Sequence, residues 1–82
     1  MTEAEVYAAL EAIFRDVFDD PSLRLTPETS APDIPEWDSF NHINIVVAAE
    51  QRFGIKFRTF EIEALHNVGD FVGLIRSKLT RA

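Results

Sequence analysis

The chain has no cysteine, only three glycines, and a single methionine, tryptophan and tyrosine. Without cysteine there is no disulfide framework and no thiolate metal site, and two histidines far apart in sequence make a zinc site improbable. No G-x-S-x-G elbow and no glycine-rich oxyanion loop are present, which argues against a serine hydrolase. Positive charge is also scarce: 8 basic residues face 14 acidic ones, for a net charge of −6. Nucleic acid is therefore not an expected partner, since phosphate backbones are held mainly by basic patches. No apolar run approaches a membrane span, and "MTEAEVYAAL" carries no basic leader pattern, so a cytoplasmic protein without membrane insertion is expected.

What is present suits a small helical fold. Hydrophobic residues make up 46% of the 82 positions and are spread along the chain, enough to fold rather than stay disordered. At this length residues 1–82 form one domain that buries about 60% of its unfolded surface. Thr2 and Glu5 have capping-box spacing, and Val6, Leu10, Ile13, Phe14 and Val17 then recur at helical intervals, predicting a first helix over 3–18. Residues 19–37 contain all four prolines, so regular structure is expected to be absent there, with Leu23, Leu25 and Ile34 as anchors. A second helix begins with Asp38 or Ser39 as cap and ends near Gly54. "IKFRTF" is ambiguous between strand and linker. A short third helix follows a Thr59 cap, and Asn67 with Asp70 caps a last helix whose buried face is expected to hold Phe71, Leu74, Ile75 and Leu79. The expected class is all-α: three main helices, one short one, and a long loop between the first and second.

The second helix is apolar on two faces. At 100° per residue Ile45, Val46, Ala49 and Phe53 form one group, and Phe40, Ile43 and Val47 another. One can face the core; the other is either an exposed contact stripe or part of a helix buried on most sides. Ser39 is open to two readings as well: an ordinary helix cap, or a hydroxyl presented at the positive end of a helix, where a phosphate ester is favoured. His42 lies one turn away, but no third group is placed to orient it as a base. It is expected at the surface of the first turn, packed under Trp37. His66 falls at the hinge before the last helix.

The stretch "WDSFNHINIVVAAEQRFGIKF" resembles the acyl carrier proteins and the related peptidyl and aminoacyl carriers: an Asp38-Ser39-apolar triplet, apolar positions 43, 45, 46 and 47, Glu50, and Phe53 before a short "GIKF" hinge. With the acidic first helix, the long loop and a last helix entered by "NVGDFVGLI", the likeness runs over nearly the whole chain. The resemblance implies that Ser39 carries 4′-phosphopantetheine, transferred from coenzyme A by a separate phosphopantetheinyl transferase. Its thiol would hold an acyl or aminoacyl group as a thioester. The protein itself would be no enzyme. Asp38 would engage the transferase; Phe40, Ile43 and Val47 would meet the loading and acyl-transfer enzymes; Ile45, Val46, Ala49 and Phe53 would line the acyl pocket, enlarged by the small Ala49. No metal would stay bound, magnesium belonging to the transferase step, and a monomer is implied because a dimer would cover the docking stripe.

Residues 39–53 hold one acid and one base, whereas residues 1–20 hold six acids and one base. This departs from the acidic second helix of fatty-acid carriers and implies a specialised lipid or secondary-metabolite carrier, with an aminoacyl or peptidyl carrier as the rival within the family. From another class, the rival is a helical interaction domain whose serine is never modified.

Overall fold

The computed structural model describes residues 2–81. Helix α1 spans Glu3–Val17, α2 Ser39–Phe53, α3 Thr59–Glu63 and α4 Val68–Arg81, with a 3₁₀ turn at Ala31–Asp33, and no strand occurs among the described residues. "IKFRTF" is thus a linker running into α3.

α1 opens with the capping box read from the sequence. Thr2 Oγ1 accepts from the Glu5 N–H at 3.2 Å, and the Glu5 carboxylate accepts from the Thr2 N–H at 2.7 Å. It closes one residue earlier than expected. The Asp20 N–H turns back to the Arg15 carbonyl, with Asp19 at φ +51°, a left-handed position that aspartate tolerates better than most residues. α2 ends at Gly54, φ +67°, where the N–H groups of Gly54 and Ile55 both donate to the Glu50 carbonyl. The Glu50 carboxylate also accepts the Phe57 N–H at 2.8 Å, so one residue shapes the turn toward α3.

α1 packs on both α2 and α4. Val6, Leu10 and Phe14 meet Ile45, Val46, Ala49 and Phe53 of α2 and Val68, Phe71, Val72 and Ile75 of α4 in one buried cluster, each larger side chain contributing roughly 1.5–3 kcal/mol. The expected face of α4 is corrected in part: Val68 and Val72 join Phe71 and Ile75 in the core, while Leu74 is only half-buried and outside it. The α3 cap is also corrected. Thr59 is the first helical residue, and the Arg58 N–H donates to the Glu61 carboxylate at 2.8 Å. Asn67 caps α4 as read, accepting the Asp70 N–H at 2.8 Å.

The long loop is tied down along its length, and the 3₁₀ turn corrects the expectation that it holds no regular structure. On α1, Glu11 and Arg15 form an ion pair at 2.8 Å; Glu11 also accepts the Leu25 N–H at 2.9 Å, and Arg15 Nε donates to the Leu23 carbonyl at 2.7 Å. At its middle the Thr29 and Pro27 carbonyls accept the Val68 and Gly69 N–H groups of α4, at 2.8 and 2.9 Å. A side chain at position 69 would stand 3.0 Å from the Pro27 oxygen, so glycine permits the approach. Ile34 is buried, and Leu23 and Leu25 pack against the core as anchors. Among the described residues no helix is long and apolar enough to cross a membrane.

Candidate functional site

At the start of α2 the cap falls to Asp38. Its carboxylate accepts the Asn41 N–H at 2.9 Å, and its carbonyl accepts the His42 N–H at 2.9 Å. Ser39 is therefore the first helical residue instead of the cap. It is exposed, and no hydrogen bond to its hydroxyl occurs among the described residues. An unengaged hydroxyl in the first turn lies in the positive field of the helix.

Trp37 anchors this corner. Its indole stands edge-on to Phe14 of α1, centroids 5.0 Å apart, and its Nε1–H donates to His42 Nδ1 at 3.1 Å with the two rings stacked. The expected Trp37–His42 packing is present, but as a directed hydrogen bond, and His42 is half-buried instead of lying at the surface. Accepting through Nδ1 requires the neutral imidazole with its proton on Nε2, and burial pushes His42 below its ordinary range. With Nδ1 taken by an indole and no carboxylate on the ring, His42 is not built as the base of a serine nucleophile.

A cavity of about 570 Å³ opens beside Ser39. Trp37, His42 and Ile43 line one side; Leu65, His66 and Phe71, from the α3–α4 connection and α4, line the other. The structure thus brings Ser39, Asp38 and Ile43 together with His66 and Leu65, which sequence spacing alone does not associate. Ile45, Val46, Ala49 and Phe53 are all buried in the core, and none of them borders this cavity.

The other stripe of α2 faces solvent: Phe40 is 72% exposed, Ile43 62% and Val47 44%. Phe60 of α3, at 67%, is a further exposed large apolar residue. Sequence reasoning missed it, since a five-residue helix is too short for periodicity to assign its faces. Arg52, Lys56 and Arg58 are exposed at the far end of α2, while Glu50, its one acid, is engaged with the Phe57 backbone.

No protein-family model matches the chain. An acyl carrier protein of Acidothermus cellulolyticus is 32% identical over 82 residues, covering 100% of this chain and 98% of that protein. A meromycolate extension acyl carrier protein of Mycolicibacterium smegmatis is 32% identical over 75 residues, covering 92% of this chain and 76% of its own length. The solution structure of a holo acyl carrier protein from Geobacter metallireducens superposes with a TM-score of 0.87 at 50% identity, covering 93% of this chain and 87% of that one. Full-length similarity, a shared helical fold and an unengaged serine at the head of α2 lead to one conclusion: the chain belongs to the acyl carrier protein family.

Proposed function

We propose that this protein is a carrier whose Ser39 Oγ holds 4′-phosphopantetheine, and that the terminal thiol presents an acyl group to partner enzymes as a thioester. The observation that carries the reading is the division of labour between Asp38 and Ser39: the aspartate caps α2, leaving the serine hydroxyl exposed and without a partner. A transferase can then form the Oγ–P bond as the P–O–P bridge of coenzyme A breaks, the serine proton being lost and 3′,5′-ADP leaving, with Asp38 as the adjoining recognition residue. The chain supplies no chemistry of its own in this reading, consistent with an imidazole whose Nδ1 is occupied by Trp37. When bound, the group supplies a flexible arm ending in a thiol.

The exposed stripe of Phe40, Ile43 and Val47 serves as the docking face. An acyl chain folding back from Ser39 meets Ile43, Leu65 and Phe71 first; reaching Ile45, Val46, Ala49 and Phe53 requires the helices to part. Each buried methylene is worth about 0.8 kcal/mol, a hold that remains reversible. The weakly charged α2 supports a specialised lipid pathway over general fatty-acid synthesis, working in the cytoplasm.

Intact mass before and after incubation with coenzyme A, magnesium and a broad-specificity transferase tests the reading. The parent should gain one phosphopantetheine and Ser39→Ala none. No gain with several competent transferases would leave only the interaction-domain reading.

A further inference from the structure

His42 and Ser39 line the same cavity. Helical side chains point toward the N-terminus and cover the preceding turn, and residues 39 and 42 are three apart, on neighbouring positions of α2. The ring is fixed from one side, because Trp37, itself held against Phe14, occupies Nδ1. Among the described residues nothing hydrogen-bonds the other nitrogen, and His42 shares the lining of the cavity beside Ser39. The result is a neutral imidazole of defined tautomer whose free Nε2–H can face whatever is attached one turn above.

We propose that His42 is a positioning residue for the arm, its Nε2–H donating to an oxygen of the phosphodiester on Ser39. This rests on the reading of Ser39 as the attachment site. A donor fixed beside the root of a long flexible chain limits the directions in which the chain leaves the helix, and a hydrogen bond to a charged oxygen is the stronger kind. The other titratable groups lining the cavity are Asp38, the cap of α2, and His66 in the α3–α4 connection; Phe14, the α1 residue against Trp37, carries no charge.

The test is ¹⁵N NMR of the wild-type imidazoles, with the apo and modified proteins checked by intact mass. The apo protein should show His42 as the Nε2–H tautomer. On modification that proton should move downfield and exchange with water about tenfold more slowly, the effect of one hydrogen bond to a charged group. His42→Gln, which keeps a donor at the same reach, should preserve the order of an isotope-labelled arm, whereas His42→Leu should loosen it. An Nδ1–H tautomer in the apo protein, or unmoved His42 signals in a fully modified sample, overturns the proposal while leaving the Ser39 reading intact. Absence of any mass gain overturns both.

Discussion

Asp38 and Ser39 are adjacent, yet substituting them should separate structure from function. Asp38→Ala removes the acceptor of the Asn41 N–H and should cost about 1 kcal/mol in urea denaturation, as lost helix caps do. Ser39→Ala removes a hydroxyl that bonds nothing and should stay within about 0.5 kcal/mol of the parent, while abolishing modification. His42 gives the residue scale its pH dependence. Its folded value lies below the ordinary 6.5 through burial, so the unfolded chain takes up more protons as pH falls through 6.5. Its contribution is fully present above that pH and is lost below it. Because protonation also removes the acceptor of Trp37, the only tryptophan, indole fluorescence should change in the same window, and His42→Gln should remove that change. A second loss should follow in more acidic solution, where Glu5, Asp20 and Glu61 titrate, each held below its ordinary value chiefly by hydrogen bonds from Thr2, Ser22 and Lys78 respectively.

At the scale of elements the long loop behaves as part of the bundle. Its order comes from the Glu11–Arg15 pair on α1, whose free valences grip the Leu23 and Leu25 backbone, and from two loop carbonyls that satisfy the first N–H groups of α4. These donors would otherwise be orphaned, as at any helix start. Glu11→Ala should therefore cost roughly 1–2 kcal/mol, a half-buried bond to a charged group plus part of an ion pair. Amide exchange should locate the damage: faster at Leu25, unchanged in the middle of α2. The clamp was not readable from the sequence. A Glu–Arg pair at i, i+4 is most often surface decoration, and nothing local marks which loop carbonyl it will meet. The helices were legible because capping residues and 3.6-residue periodicity are local signals. α4 was misread at Leu74 because the facing helix, rather than periodicity alone, decides which edge of an apolar stripe is covered.

Across the whole molecule charge is unevenly divided along the chain. Residues 1–38 hold ten acids and two bases; residues 39–82 hold four acids and six bases. Arg52 and Lys56 stand exposed near the end of α2, and its one acid is occupied with the turn. A carrier-dependent enzyme with a basic docking face should then associate slowly with this protein. The double substitution of Arg52→Glu and Lys56→Glu should raise the association rate about tenfold at low ionic strength, by electrostatic steering, with the gain fading above roughly 0.1 M salt. Stopped-flow mixing at two salt concentrations measures it; a gain that persists in high salt would assign the effect to packing instead.

The sequence by itself determined the helices to within a residue or two, the anchors of the loop, and the division of α2 into two apolar stripes, because these follow from turn chemistry and angular periodicity within short segments. Apart from what the family resemblance implies, periodicity left open which stripe faces outward; tertiary structure decided for Phe40, Ile43 and Val47, since packing of α2 on α1 distinguishes one apolar face from the other. It also decided that Asp38 caps and Ser39 does not, two residue types of nearly equal capping strength. The hydrogen bond from Trp37 to His42 likewise depended on Phe14 holding the indole in place. The cavity beside Ser39 is the last such decision, for it exists only where the loop, α2 and the approach to α4 meet, and no stretch of sequence contains all three.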